Sequence, residues 1–258
     1  MGENFRRKAR MVAGGHTTEA PSSITYSSVV SRDSVRIALT IAALNNLDVL
    51  ACDIQNTYLT AQCREKIWTR TGPEFGSKIG CIMIVVRALY GLKSIGAAFR
   101  ALLAETLFDL GYLPTKSDPD VWIRMAVKAN RFEYYEFFLC YVDDVLSISH
   151  DPQKTMDRIK NTFKLKNNKI EELENYLGAD LSEMTTADGR VCWTMSSDQY
   201  FKAAVANVEE KLEKANKRLP TKCGAPLTSG YKPELDTSAE LKADGLQTYQ
   251  ELIGVLGL

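Results

Sequence analysis

The stretch Phe137-Phe138-Leu139-Cys140-Tyr141-Val142-Asp143-Asp144-Val145-Leu146-Ser147-Ile148-Ser149 sets two adjacent carboxylates between two strongly apolar runs. Each run has the length and composition of a buried β-strand, so the stretch predicts a hairpin with the acids at its tip. Asp-Asp is a poor choice for a tight hairpin, where Gly or Asn supplies positive φ. Two carboxylates crowded there repel and raise one another's pKa unless a cation neutralises them. A hard divalent ion with oxygen ligands, Mg²⁺ above all, suits that role. An ordinary acidic turn is spelled with the same two letters, so the pair does not decide between the readings.

A second acid changes the balance. About ninety residues earlier, Asp53 closes the apolar run Val49-Leu50-Ala51-Cys52 within a predicted strand from Leu47 to Ile54. Buried strands rarely tolerate unpaired acids. If the two strands are neighbours in one sheet, three carboxylates converge, enough to hold two Mg²⁺ ions for in-line phosphoryl transfer, which is polymerase chemistry.

Working outward, helical spacing runs from Asp33 or Ser34 to Asn46, from Ala97 to Leu110 with Gly111 as stop, and from Pro152 to about Lys166. In the last of these, Met156, Ile159 and Phe163 face inward. Strands are predicted at Ile67 to Arg70, Ile79 to Arg87, Val121 to Val127 and Phe132 to Val142. A further hairpin joins Tyr176–Met184 to Val191–Met195 through Asp188-Gly189. A helix follows from Ser197 to about Arg218. Beyond Pro220 the chain reads as a linker, then an apolar helical piece from Leu246 to Leu258. The mixture predicts an α+β fold.

Composition bounds the function. The chain has 258 residues, 45% apolar and 25% charged with zero net charge, which excludes disorder as the dominant state. No apolar run approaches the roughly 20 residues that span a bilayer, so no membrane association is expected. The basic start (Arg6, Arg7, Lys8, Arg10) has no apolar run behind it, which argues against a secretory signal and for an intracellular protein. Six cysteines without a Cys-x-x-Cys pair, and two histidines, give no support to structural zinc; Cys52 and Cys140 read as small buried thiols. Two local basic clusters, Phe5 to His16 and Lys211 to Lys222, are compatible with phosphate binding, but taken alone each is more ordinarily a solvated face or a frayed terminus, and neither decides the function. An ATPase using Phe137 to Asp144 as its Walker B strand would need a Gly-x-x-x-x-Gly-Lys-Ser/Thr loop, and the chain has none.

Five stretches together resemble one family. Lys8-Ala9-Arg10-Met11-Val12-Ala13, Asp53-Ile54-Gln55-Asn56-Thr57-Tyr58-Leu59, Ala88-Leu89-Tyr90-Gly91-Leu92-Lys93, Tyr141-Val142-Asp143-Asp144 and Tyr176-Leu177-Gly178 are similar, in order and spacing, to the reverse transcriptase of copia-type long-terminal-repeat retrotransposons. The likeness covers nearly the whole chain from Lys8 onward. It implies a right-hand polymerase whose antiparallel palm sheet packs on helices. Residues 1–46 and 60–96 would be fingers, 47–59 and 97–185 palm, 186–220 thumb, and 221–258 a linker toward an absent RNase H domain.

The resemblance also implies roles. Asp53, Asp143 and Asp144 would be the catalytic metal ligands, with the Ile54 carbonyl completing the shell around two Mg²⁺ ions or substituting Mn²⁺. Lys8 and Arg10 would grip the triphosphate of an incoming dNTP. Tyr58 would be the steric gate against a 2′-hydroxyl, where a packing aromatic is the alternative. Ser94 would face the nucleotide, and Tyr176, Leu177 and Gly178 would form the primer grip, where an ordinary strand is the alternative. The helix with Lys202, Lys211, Lys214, Lys217 and Arg218 would track the duplex backbone, or simply be solvated. The implied partners are an RNA or DNA template with primer and dNTPs, within a longer polyprotein, in the cytoplasm, a virus-like particle or the nucleus.

Two departures bear on activity. Where the family carries Gln-Ala-Pro-Arg, this chain has Ser94-Ile95-Gly96-Ala97, a shorter reach and a looser backbone. Gly14 stands where a Lys is usual. The competing reading is therefore a catalytically degenerate retrotransposon relic that only binds nucleic acid. RNA cleavage in the hybrid is not expected, because Glu234, Asp236, Glu240, Asp244 and Glu251 lie in a tail without strands to fix them and read as solvated.

Overall fold

The computed structural model describes residues 11–256 apart from 23, 64, 215, 220, 223, 225–229, 231, 236 and 238. In chain order the elements are α1 (Arg32–Asn45), β1 (Asp48–Asp53), α2 (Thr57–Thr60), β2 (Trp68–Arg70), β3 (Ile82–Ile84), α3 (Ile95–Asp109), β4 (Leu113–Pro114) and β5 (Val121–Val127). They continue with β6 (Glu133–Tyr141), β7 (Asp144–Ser149), α4 (Pro152–Thr162), β8 (Glu171–Glu172), β9 (Asn175–Tyr176), β10 (Ala179–Thr185), β11 (Val191–Ser196), α5 (Asp198–Lys214) and α6 (Ala243–Leu256). The fold is α+β with antiparallel sheets. No helix among the described residues is long and apolar enough to cross a membrane.

The chain divides into two compact units. Described residues up to Glu174, with Ser182–Thr194, form the first; Asn175–Leu181 and the described residues from Met195 onward form the second. A six-stranded antiparallel sheet, in the order β4-β5-β6-β7-β1-β8, organises the first unit. Period-two alternation sorts its apolar residues between two faces. Cys52, Trp122, Phe138, Cys140 and Val145 meet Phe99, Leu103 and Leu107 of α3 and Met156 and Ile159 of α4 in one buried cluster. Each large side chain so buried contributes about 1.5–3 kcal/mol. Leu139, Leu146 and Ile148 alternate with these residues and are also buried, on the face where α1 packs against β7. The buried positions of α1, Val35, Ala38, Leu39 and Ala42, carry the helical period expected from the sequence.

Ser31, two residues earlier than the first expected cap, begins α1: its hydroxyl accepts the Ser34 N–H at 3.1 Å. Asp118 braces this start from the β4–β5 loop, accepting from the Ser31 N–H at 3.0 Å and the Ser34 hydroxyl at 2.6 Å. Burial pushes the Asp118 pKa up, but hydrogen bonds from Ser34, Ser31 and the Asp120 N–H outweigh it and hold the group below its ordinary value of 3.8. A depressed carboxylate pKa adds stability above the unfolded-state value, and that stability is lost as pH falls through the folded one. Asp118→Ala should therefore cost about 1–2 kcal/mol at neutral pH. The gap from the parent should narrow in urea titrations as pH falls through the lowered folded-state pKa of Asp118, and a pH-independent gap would count against the assignment.

Two predicted elements end differently. Helix α4 stops at Thr162, short of Lys166, because Phe163 and Leu165 are both buried and only an extended chain points alternate residues inward. The extended piece pairs Leu165 with Ile54 in an antiparallel bridge. The predicted strand Tyr176–Met184 is broken into β9 and β10 by a two-residue turn, with Leu177 at φ 52° and Gly178 at φ 76°. Positive φ at both central positions suits the twist of a tight hairpin. The turn at Asp188-Gly189 forms as expected, with Gly189 at φ 80°.

In the second unit α5 and α6 pack together, and Lys211 is paired with Glu251. Glu251, expected to be solvated, thus has a partner and also accepts from Gln247 at 3.2 Å.

Candidate active site

Strands β1 and β7 are neighbours, and their register puts Asp53 directly opposite Asp144. On the other side of β7, Tyr141 pairs with Asp144, leaving Val142 and Asp143 as the two central residues of the β6–β7 hairpin. Val142 takes φ 55° where Gly or Asn would be ordinary. A β-branched residue held there stores strain of order 1–3 kcal/mol, so the main-chain path at Asp143 is imposed by the flanking strands. The next residue after Asp53 closes the group: the Ile54 N–H donates to the Asp143 carbonyl at 2.8 Å. The main chain therefore brings Asp53, Ile54, Asp143 and Asp144 close together.

The electrostatics follow from that crowding. Burial, then the charges of Asp143 and Asp53, push the Asp144 pKa up, and Lys166 opposes them. Cys52, buried beneath the acids, has its thiol pushed to about 12 by burial and by Asp53 and Asp144. It is the inert thiol expected of such a position, as is buried Cys140.

Lys166 forms an ion pair with Asp53, and this bond raises the lysine's pKa. The helical period of the sequence runs on to Lys166 and gives no sign of this pairing; the one clue to it is the Phe163-x-Leu165 alternation. Thr57 goes unmarked as well. Its buried hydroxyl donates to the Ile54 carbonyl at 2.5 Å, occupying one side of the oxygen expected to face a metal. A Thr three residues after that carbonyl was the available clue.

Among the described residues, no three His, Cys, Asp or Glu side chains form a ready metal-ligand set. The donor chemistry nevertheless suits a hard divalent cation, being three carboxylates and a carbonyl.

Tyr58 lies on the short helix α2, five residues after Asp53, half-buried. Its ring meets Tyr90 edge-on at 5.2 Å and Phe99 at 6.5 Å. Burial and the Asp143 charge raise its pKa, which ties it electrostatically to the acid cluster. Ser94 caps α3 without a side-chain bond and lines a cavity of about 340 Å³ with Ile24, Tyr26, Ala97 and Arg100. Gly96 lies inside α3 and not in a loose loop: a Cβ there would come 3.0 Å from Ser27 Cβ, so the glycine admits a close contact. Tyr176, Leu177 and Gly178 form the β9–β10 turn of the second unit. Lys8 and Arg10 lie outside the described residues.

Residues 2–218 match the family model described as reverse transcriptase (RNA-dependent DNA polymerase). The retrovirus-related Pol polyprotein from transposon RE1 of Arabidopsis thaliana is 28% identical over 188 residues, 70% of this chain. The corresponding polyprotein from transposon TNT 1-94 of Nicotiana tabacum is 26% identical over 234 residues, 88% of this chain. The transposon Ty1-NL2 Gag-Pol polyprotein of Saccharomyces cerevisiae is 25% identical over 262 residues, 96% of this chain. The chain spans only 12%, 16% and 14% of those three relatives. With most of its length inside the family model and its three acids gathered at adjoining strand ends, the chain belongs to the reverse transcriptase (RNA-dependent DNA polymerase) family, of the copia type found in retrotransposon Pol polyproteins.

Proposed function

We propose that this chain extends a primer on an RNA or DNA template by transferring nucleotides from dNTPs. The observation that carries the reading is the register of Asp53 on Asp144, with Asp143 tied to Ile54 beside them. In this reading the six-stranded sheet with α3 and α4 is the palm. Residues 1–46 and 60–96 serve as fingers and 186–220 as thumb. Asp53, Asp143, Asp144 and the Ile54 carbonyl would hold two Mg²⁺ ions, or Mn²⁺, which when bound supply charge stabilisation for the attacking hydroxyl and the pyrophosphate leaving group.

The chain's own residues do the rest. Lys166 pairs with Asp53, and must release it when a cation is taken up. Thr57 holds the Ile54 carbonyl in place. Lys8 and Arg10 pair with the triphosphate, Ser94 faces the nucleotide, and Tyr176, Leu177 and Gly178 steady the primer end. The decisive experiment is primer extension by the purified chain on an RNA template with and without Mg²⁺. Metal-dependent extension supports the reading. Nucleic-acid binding without extension under any metal favours a degenerate relic.

Tyr58 is proposed as the wall beneath the sugar 2′ position. Tyr58→Val should raise ribonucleotide incorporation relative to deoxyribonucleotide by about 10–100-fold, the range for steric discrimination by a few buried carbons. An unchanged ratio in single-nucleotide extension would make Tyr58 a packing residue against Tyr90 and Phe99 only.

A further inference from the structure

Two glycines cross backbone to backbone in the first unit. Gly15 is buried, and a Cβ built on it would lie 1.9 Å from the Gly91 carbonyl oxygen. Gly91 sits at φ +90°, and a Cβ there would lie 2.1 Å from the Ala13 carbonyl oxygen. Both obstructing atoms are main chain and cannot swing aside, so the crossing requires glycine on each strand of it.

Hydrogen bonds fasten the crossing on either side. The Ala13 N–H donates to the Tyr90 carbonyl at 2.6 Å, and Lys93 Nζ donates to the Thr18 carbonyl at 2.9 Å. Between them Thr17 folds back on Gly14, its N–H and hydroxyl both donating to that carbonyl, at 2.8 and 2.7 Å. The turn that receives the segment is itself anchored. Ala88 and Leu92 are buried, and the Ala88 N–H donates to the Ala61 carbonyl at 3.0 Å. Residues 13–18 are thus held to a turn rooted in the core, and the sequence places Arg10 and Lys8 just three and five positions ahead of Ala13.

We propose that Gly15, Gly91 and Lys93 are positioning residues for nucleotide capture: the crossing fixes residues 13–18 on the core, a few positions after Lys8 and Arg10 in the sequence. The inference rests on the reading of Lys8 and Arg10 as triphosphate contacts. A cation a few residues from a fixed point has little chain left to order when it meets its anion, so the clamp lowers the entropic cost of binding. Loosening it should weaken nucleotide binding more than the chemical step. The motif Ala88-Leu89-Tyr90-Gly91-Leu92-Lys93 thereby gains a mechanical role, with Gly91 as its fulcrum and Lys93 as its outer tie.

The test uses Lys93→Met, Gly15→Ala and Gly91→Ala in the full chain, beside Lys8→Ala and Arg10→Ala. Lys93→Met leaves the glycines intact and keeps the test alive if a glycine variant misfolds. Amide hydrogen exchange at Ala13 and Thr17 should accelerate about tenfold or more in the clamp variants, while amides of β6 and β7 stay protected. In primer extension, the KM for dNTP should rise about tenfold, with kcat and the Kd for primer–template within about twofold of the parent. Faster exchange with an unchanged KM, or unchanged exchange in every clamp variant, overturns the proposal. A KM insensitive to Lys8→Ala and Arg10→Ala overturns instead the underlying reading of the basic segment. A KM sensitive to those two but not to the clamp variants sinks the clamp alone.

Discussion

Asp143→Asn or Asp53→Asn should reduce nucleotide addition to background, a loss of at least about 10³-fold, because in the proposed reading each removes a charged metal ligand without changing volume. The fold should survive. Asp53 and Asp144 sit at paired strand ends, and Ile54 is fixed to Asp143 through main-chain atoms that the substitution leaves alone. In the metal-free protein Asp143→Asn also lifts a repulsion, since the Asp143 charge helps to raise the Asp144 pKa. Its thermal midpoint without metal should match or exceed the parent's. Added Mg²⁺ should stabilise the parent more than the variant, by mass action on the folded state. Asp53→Asn differs in one respect: it also removes the ion pair with exposed Lys166, so its metal-free midpoint should move less. Extension at near the parent rate by either variant would end the metal assignment.

Arg124→Met should be the most damaging substitution for stability. Glu136 is buried in the middle of β6 and lies opposite Arg124 in the β5–β6 register. Its carboxylate accepts from Arg124 Nε at 2.9 Å and Nη2 at 2.5 Å, and from the hydroxyls of Tyr112 at 3.3 Å and Tyr134 at 3.4 Å. The guanidinium in turn donates to the Leu110 carbonyl at 2.6 Å and lies 4.5 Å over the Tyr112 ring. Removing the cation strands a carboxylate in a nearly dry site, which costs about 3–5 kcal/mol. Replacing both partners, Arg124→Met with Glu136→Leu, should recover most of that loss, because no charge is then left buried. Urea titrations of the parent, both single variants and the double variant complete the cycle. A single-variant cost below about 1 kcal/mol would show that water reaches the pair.

Helical period made α1 and α3 legible in the sequence, because each buries one consistent face, and short apolar runs made β1, β5, β6 and β7 legible, β7 being buried from Val145 through Ser149. The acids were legible for the opposite reason: Asp53, Asp143 and Asp144 break apolar runs that give no local account of them. Glu136 breaks such a run too, and the sequence offered nothing to distinguish it from the site. Only the register that sets Arg124 opposite it decides that this acid is held in an internal ion pair. The course of Phe163 to Lys166 was likewise a tertiary decision. Its residues fit a helix by period, but burying both Phe163 and Leu165 beside Ile54 required an extended chain, and that brought Lys166 to Asp53. Val142 at positive φ and the Gly15–Gly91 crossing belong to the same class. Local propensity cannot express them, because the atoms that impose them come from strands and turns distant in the chain.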